Sequence, residues 1–324
     1  RPGLTNQMDM FDKTVTLGRH RNAFRVDVLA GLSHRQKSLP CRWLYDNVGS
    51  ELFEAITQLP EYYPTRTESA ILLANARAIA DFAGNGATLL EYGAGAGIKT
   101  ETLLAALCAP RQYIPIDIAG EFLQQTVSRI RQRFPELQVE PVISDFTVDF
   151  ELPADLPDGR RVAFFPGSTI GNFAVAEAGV FLQRVRRHVG PGGVAIIGFD
   201  LKKDTETMLA AYDDAQGVTA QFNLNVLARI NRELGGDFAL RGFRHFARWN
   251  EAESAVEMHL VSQVAQTVTI DSLSYEFEAG ESIHTESSRK YSPEDFAAFA
   301  AANGWRVEQV WTDARQLFAV VGLR

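Results

Sequence analysis

Gly93, Gly95 and Gly97 stand at alternate positions in the run Glu91-Tyr-Gly-Ala-Gly-Ala-Gly97. The apolar residues Ala87-Thr-Leu-Leu90 precede it and Ile98-Lys-Thr-Glu-Thr-Leu-Leu104 follows, so the segment reads as strand, turn and helix. A turn without Cβ atoms lets a nucleoside lie against backbone N–H groups at a helix N-terminus. The dinucleotide pattern G-x-G-x-x-G would need its third glycine at position 98, where this chain has Ile98. The spacing therefore favours a nucleoside without a pyrophosphate, of which S-adenosylmethionine is the common case. A glycine triplet alone is weakly specific, and the downstream residues decide its weight.

Asp117 ends the apolar stretch Tyr113-Ile-Pro-Ile-Asp117. An acidic residue about 20 positions past the glycine turn suits a ribose diol, which it grips through paired hydrogen bonds. The structural alternative is a cap for the helix that follows. Asp145, in Ser144-Asp-Phe146, either accepts the amino group of an adenine that Phe146 flanks or serves a strand-end turn. Lys99 opens the first helix, where the macrodipole disfavours a cation. It pairs with a ligand carboxylate there, or it is a solvated lysine. Phe164-Phe-Pro-Gly-Ser-Thr-Ile-Gly-Asn-Phe173 contains two glycines and a proline, so it reads as a constrained turn. Asn172 in it can both donate and accept hydrogen bonds, as holding an amine or carboxylate requires, or it is a turn residue in the left-handed region. The absence of Cys, His or Lys from this turn argues against covalent catalysis. Tyr45, Tyr62, Tyr63 and Tyr212 sit near polar or Gly/Pro-rich sequence, where a hydroxyl can line a polar site and a ring can simply pack. The six histidines, His20, His34, His188, His245, His259 and His284, form no H-x-x-x-H pattern, and no metal is expected.

These residues need a scaffold that gathers them. Thr65-Arg-Thr-Glu68 reads as a capping box opening a helix that runs to Gly84. From there strands and helices alternate. Strand Thr88–Tyr92 precedes helix Thr100–Leu107, and strand Gln112–Ile118 precedes helix Glu121–Phe134. Strand Glu140–Ser144 follows, then strand Arg161–Phe165, helix Val175–His188 and strand Gly193–Phe199. That alternation predicts a parallel sheet covered on both faces. A helix over Ala220–Leu234 and an alternating apolar stretch over Val256–Ile270 depart from it, the latter predicting antiparallel strand. Ser292-Pro-Glu-Asp295 caps a last helix, and Trp305–Trp311 with Gln316–Leu323 predict a terminal hairpin. The expected fold is α/β: a class I (Rossmann-like) methyltransferase sheet closed by a hairpin, plus a second α+β domain that binds substrate. The methyltransferase core is placed at 66–203 and 290–324, and the second domain at 14–65 and 204–289. A nicotinamide-binding domain would instead continue with a parallel sixth strand.

The chain has 324 residues, 46% of them hydrophobic and 22% charged, with a net charge of −8. Charges of both signs are interspersed, so no basic stripe marks a nucleic-acid partner. No apolar run has membrane-spanning length, and the first residues show no signal-peptide core. Cys41 and Cys108 make no disulfide framework. A cytoplasmic monomer acting on a small molecule is expected.

Several longer segments resemble a known family. They are Tyr45-Asp-Asn-Val-Gly-Ser-Glu-Leu-Phe53, Leu59-Pro-Glu-Tyr-Tyr-Pro-Thr-Arg-Thr-Glu68, Phe165-Pro-Gly-Ser-Thr-Ile-Gly-Asn-Phe173 and Ala211-Tyr-Asp-Asp214. Gly217-Val-Thr-Ala-Gln-Phe-Asn-Leu-Asn225, Glu257-Met-His-Leu260 and Thr285-Glu-Ser-Ser288 belong with them. Together they resemble the L-histidine Nα-methyltransferases of ergothioneine biosynthesis, over nearly the whole chain from about Thr14. The resemblance implies an enzyme that trimethylates the α-amino group of histidine to hercynine with S-adenosylmethionine as donor, its mono- and dimethyl forms being intermediates. A same-family enzyme acting on another amino acid or amine is the alternative. The resemblance further implies a cofactor site of Tyr45, Gly93, Gly95, Lys99, Asp117, Asp145 and Phe146. It implies a substrate site of Tyr62, Gly167, Asn172, Tyr212, Met258, Glu286 and Ser288. Glu286 and Ser288, with Tyr62 near them, would hold the imidazole; Asn172 and Tyr212 would hold the amino-acid head. Tyr45 and Asn172 would act at the reacting nitrogen. Glu281 is the other acid of that stretch, and Glu286 is preferred because Glu-x-Ser fits 286–288.

Overall fold

The computed structural model describes residues 4–95 and 97–324, with side chains described from residue 18 onward. It divides into two compact units. The smaller comprises Arg1–Phe53, Ala215–Arg248 and Glu257–Glu286; the larger comprises Glu54–Asp214, Trp249–Val256 and Ser287–Arg324. Boundaries drawn from sequence at 65, 203 and 289 thus fall at other places. Two hydrogen bonds show why. Tyr63 Oη donates to Asp200 Oδ2 at 2.7 Å and Lys290 Nζ to Tyr212 Oη at 2.8 Å, tying residues flanking the expected core into the larger unit.

The larger unit is built on a sheet of eight strands among the described residues. Its order is Val307–Thr312, Phe318–Leu323, Val194–Asp200, Arg161–Phe165, Thr88–Tyr92, Gln112–Asp117 and Gln138–Val139, with Val142–Ile143 also pairing Gln112–Asp117. Every pairing from Val194–Asp200 through to these last two short strands is parallel. Phe318–Leu323 inserts antiparallel beside Val194–Asp200, and Val307–Thr312 pairs with it as the hairpin partner. This is the class I methyltransferase sheet expected from the sequence. The strand expected at Glu140–Ser144 is two short pieces around Pro141, which has no N–H for the ladder.

Successive residues along each strand feed two cores. Leu89, Tyr113, Val162, Phe164, Val194, Ile196 and Val320 bury on one face. Their neighbours Leu90, Ile114, Ala163, Phe165, Ala195, Ile197 and Val321 bury on the other. A sheet covered on both faces can meet ligand only at its strand ends, which is where the candidate residues lie.

The first helix of this unit departs from the sequence reading. It starts at Tyr63, with Pro64 in its first turn, and no side chain caps it. Glu68 is therefore not the far member of a capping box; it is fully buried. Asn75 ends this helix, its side chain donating back to the Ile71 carbonyl at 2.9 Å, and a second helix runs over Ala76–Ala83. The last helix is capped as expected: Ser292 Oγ accepts from Asp295 N at 3.0 Å.

The smaller unit holds the helix Leu4–Leu32, the helix Val218–Leu234 and most residues of a sheet with strand order Lys37–Ser38, Ser282–Arg289, Ala255–Ser262, Phe243–Asn250. The stretch expected as one strand over Val256–Ile270 is two, Ala255–Ser262 and Gln266–Ile270. Arg229 locks the first segments to the second long helix. Its guanidinium donates to the Trp43 carbonyl at 2.9 Å and lies 4.5 Å from the Phe24 ring centroid.

Glu91, just before the glycine turn, is 1% exposed. It accepts from Tyr113 Oη at 2.6 Å and from Thr100 Oγ1, which fastens the second strand and the following helix to the first strand. Burial pushes its carboxyl up to about 8, against the pull of those two hydroxyls. The folded chain then holds this proton more tightly than the unfolded chain, so stability falls as pH rises from the ordinary carboxylate range to about 8. Glu91→Gln should remove that slope, shifting the wild-type-minus-variant stability by up to about 1.4 kcal/mol per pH unit over that window. Denaturant titrations at several pH values measure it; a difference constant with pH would show that Glu91 is ionised in the fold.

Candidate active site

The glycine turn lies at the carboxyl end of Thr88–Tyr92. Gly93, Gly95 and Gly97 have φ of 73°, 51° and 70°, a region open to glycine at little cost. A Cβ on Gly97 would stand 2.7 Å from Thr126 Cγ2, and one on Gly93 would stand 3.2 Å from Phe146 Cε1. Beside Gly95, in contrast, there is open space. The turn is thus packed at both ends and accessible in the middle, as a nucleoside cradle must be.

Asp117 reaches the same turn. Its Oδ2 accepts from Gly95 N at 3.2 Å and its Oδ1 from Ala119 N at 2.9 Å. Burial raises its pKa, and those backbone N–H groups pull it down. The carboxylate fixes the glycine turn and the approach to the next helix, which itself has no side-chain cap. Each oxygen still has acceptor capacity for a diol. Asp145 Oδ1 accepts from Thr147 N at 2.9 Å, the strand-end role. Phe146 is half-buried against Phe165, at 5.6 Å between centroids, with its edge toward Gly93.

Lys99 is not a solvated lysine. Its ammonium pairs with Glu68 at 2.6 Å, and only 16% of its side chain is exposed. Glu68 also accepts from Gly167 N at 2.8 and 3.1 Å through its two oxygens. One carboxylate therefore links the first helix of the unit, the helix after the glycine turn and the turn after the fourth parallel strand. Two of the three ammonium donors on Lys99 remain for other acceptors.

That last turn is as constrained as its glycines suggest. Gly167 and Ser168 have φ of 81° and 57°, so the left-handed non-glycine residue is Ser168 rather than Asn172. Asn172 ends a short 3-10 turn and donates to the Ser287 carbonyl at 2.8 Å. A Cβ on Gly171 would stand 2.6 Å from the Arg289 carbonyl, so the turn rides directly on the segment bearing Ser288. Tyr62 and Tyr212 stack edge to face at 6.3 Å, and Tyr212 donates to Ser288 Oγ. The larger unit thus brings Tyr62, Asn172, Tyr212 and Ser288 together.

Beneath them lies a charge cluster that motif spacing missed. Lys290, with no side-chain exposure, pairs with equally buried Asp200 at 2.6 Å. Asp200 also accepts from Lys203 Nζ at 2.7 Å and from Tyr63 Oη at 2.7 Å. Desolvation draws Lys203 down to about 8 and raises the Tyr63 phenol far above its usual range. The available signal was an acid at the carboxyl end of the apolar strand Val194–Asp200, the position where open α/β sheets meet ligand.

The smaller unit carries Tyr45, Met258 and Glu286. Tyr45 packs against Phe53 and Phe222 at 5.5 and 5.3 Å. Behind it Asp46 accepts from Arg232, Asn225 and Gly49 N, which fixes the backbone there. Met258 and Glu286 occupy neighbouring strands, joined where Thr285 Oγ1 donates to the Met258 carbonyl at 3.1 Å. On the same strands Glu257, His259 and His284 place ligand-capable atoms within 4.8 Å of one another. The two imidazoles stack 16° from parallel, so their in-plane lone pairs do not converge on one point. Arg248 donates to Glu257 at 2.7 Å and balances its charge. Burial pushes both imidazoles toward the neutral form. The geometry is that of a buried hydrogen-bond network. Scanning for i, i+4 histidines passed over it because its members come from two strands.

Known proteins give these residues their context. The histidine N-alpha-methyltransferase of Mycolicibacterium smegmatis is 44% identical over 297 residues, 90% of this chain and 91% of that protein. Its Mycobacterium tuberculosis counterpart is 43% identical over the same shares. Ergothioneine biosynthesis protein 1 of Neurospora crassa is 28% identical over 85% of this chain and 32% of that longer protein. A profile of the family described as histidine-specific, SAM-dependent methyltransferases matches residues 24–324. With a class I sheet, a glycine cradle answered by Asp117 and a nearly full-length match, this chain belongs to the histidine-specific, S-adenosylmethionine-dependent methyltransferase family.

Proposed function

We propose that this protein methylates the α-amino nitrogen of L-histidine three times, yielding hercynine for ergothioneine biosynthesis. The observation that carries the reading is that one unit holds both the Gly93–Gly97 cradle and the Tyr62–Tyr212–Ser288 cluster, with Glu68 linking Lys99 beside the cradle to the Gly167 turn. The names of the mycobacterial and fungal relatives point to the same substrate and pathway.

In this reading Gly93, Gly95 and Asp117 hold the nucleoside, Asp145 and Phe146 flank its base, and Lys99 answers its carboxylate. Bound S-adenosylmethionine supplies a methyl group on a positively charged sulfur. The chain's task is to hold a neutral amine in line with that carbon, because orientation rather than strong base chemistry governs such a displacement. Before each transfer the substrate's ammonium would give one proton to water; the freed lone pair would then form the new N–C bond as the C–S bond breaks, the electrons of that bond staying on sulfur. Three rounds consume three donors and release three protons. Asn172 and Tyr212 hold the amino-acid head, Tyr45 orients the nitrogen, and Glu286 and Ser288 take the ring.

Incubating the protein with histidine and donor, then weighing the products, should show species one, two and three CH₂ units heavier, ending at the third. A product that stops at the first would confine the activity to monomethylation. Because the amine must be neutral and a free α-amino group titrates near 8, kcat/KM should rise roughly tenfold per pH unit below that value and then level. A flat profile from pH 6 to 9 would mean that an enzymic base takes the proton.

Glu286→Ala should weaken histidine binding by roughly 10-fold or more, the cost of a lost charged hydrogen bond, while donor affinity stays within about twofold. Calorimetric titration of each ligand reads both, and equal losses would remove Glu286 from the ring site. Titrating other amino acids beside histidine separates this reading from a relative serving another amine.

A further inference from the structure

We propose that buried Lys290 is a positioning residue that makes the Tyr212–Ser288 pair a hydrogen-bond donor, so that the site selects a ring presenting an acceptor nitrogen. The inference rests on the reading that Ser288 meets the substrate's ring; what it adds is the polarity of that contact and the residue that sets it.

The argument is a count of protons and lone pairs. An ammonium has three N–H donors and no acceptor. Those of Lys290 reach Asp200 Oδ2 at 2.6 Å, Tyr212 Oη at 2.8 Å and Ser288 Oγ at 2.9 Å. Tyr212 Oη in turn donates to Ser288 Oγ at 2.8 Å. Ser288 Oγ therefore accepts twice, which fills both lone pairs of a hydroxyl. Its remaining capacity is its own proton. Reversing the bond between the two hydroxyls would open a lone pair on Ser288, but the Tyr212 phenol is the stronger acid and the weaker acceptor, so the bond runs from Tyr212 to Ser288. Saturated from below in this way, Ser288 presents O–H outward and has no lone pair to offer.

The saturation is held rigidly. Lys290 and Asp200 have no side-chain exposure. Lys290 N donates to the Ser254 carbonyl at 2.8 Å and Tyr291 N to the Asp200 carbonyl at 3.2 Å, so backbone pins both ends of the ion pair. Lys203 and Tyr63 occupy Asp200 from its other side. The Lys290 ammonium also lies 4.7 Å from the centroid of the Tyr212 ring.

The consequence is selectivity. A neutral imidazole has one N–H and one bare nitrogen, and the bare nitrogen accepts the outward proton. A ring with a C–H or N–H at that position leaves a buried O–H without a partner, which costs binding. An imidazolium, with two N–H groups, is rejected on the same ground.

The test compares histidine with its pyrrole analogue, in which the accepting ring nitrogen is a C–H, by calorimetry on the whole protein. The wild type should prefer histidine by roughly 10- to 100-fold. In Lys290→Met a lone pair opens on the hydroxyl pair, the proton can turn inward, and the preference should fall to about threefold or less. Because Asp200 then loses a counter-ion, the doubly substituted Asp200→Asn, Lys290→Met protein is measured beside it and should show the same fall. Should both melt below the assay temperature, Tyr212→Phe opens the same lone pair while keeping the ion pair, and the same loss of preference is expected. A folded variant that keeps the wild-type preference overturns the assignment of Lys290. A wild type that binds both compounds equally overturns the donor polarity while leaving histidine as substrate. A wild type that binds no histidine overturns the functional reading itself.

Discussion

A carboxylate removed from water must find cations or N–H and O–H donors, or it will take up a proton. The larger unit contains three such groups at or near the carboxyl rim of its sheet: Glu68, Glu91 and Asp200, none more than 1% exposed. Glu68 and Asp200 find partners in different segments, while Glu91 keeps its proton into the neutral range and still gathers two hydroxyls. Glu68 gathers Lys99 and Gly167 N; Glu91 gathers Thr100 and Tyr113; Asp200 gathers Lys290, Lys203 and Tyr63. Those segments carry the residues proposed to hold donor and substrate. The position of the site follows from the need to satisfy these acids.

Ion pairs of this kind contribute little net stability, because desolvation offsets their attraction, whereas breaking one leaves a costly lone charge. Stability comes from the two apolar faces, where alternate residues of the central strands Thr88–Tyr92 and Val194–Asp200 are all buried. The acids supply geometry instead. Gly198 shows how tightly: a Cβ there would stand 1.9 Å from Glu68 Oε1, so the strand must bare its backbone to admit the carboxylate. The smaller unit uses a similar device, with Asp46 collecting Arg232, Asn225 and Gly49 N behind Tyr45.

Local periodicity made the sheet legible. Arg161–Phe165 was read without error, Ser292 caps as expected, and the hairpin that separates this fold from a nicotinamide-binding one was visible in the final residues. The glycine turn was legible from its own backbone, and Asp117 from its place at a strand end, although one N–H it accepts from is that of Gly95, 22 residues away. What was hidden depends on distant partners. Glu68 has the spacing of a capping box, and only the burial of its side chain against Lys99 and Gly167 shows otherwise. Lys290 next to Arg289 looks like a solvated basic pair, but its three donors find acceptors 90 and 78 residues away in Asp200 and Tyr212, as well as on Ser288. The domain boundaries were displaced for the same reason, since Tyr63 and Tyr212 are held by bonds that no local pattern announces.

Methyl transfer to an amine asks little of a protein beyond orientation and exclusion of the wrong ring, so its discrimination must come from fixed hydrogen-bond polarity. A hydroxyl is a poor discriminator by itself because it rotates to donate or accept. It becomes a strict one only when neighbours consume its lone pairs. An arginine at 290 would offer a wider fork than the three-way convergence here demands, and a neutral residue would leave Asp200 with one counter-ion fewer. The compact ammonium of Lys290 meets both requirements: it neutralises an acid needed to hold the rim and, with Tyr212, it commits the Ser288 hydroxyl to a single polarity. Structural charge and substrate choice thus share one buried atom, which is why that atom lies beneath the site rather than in it.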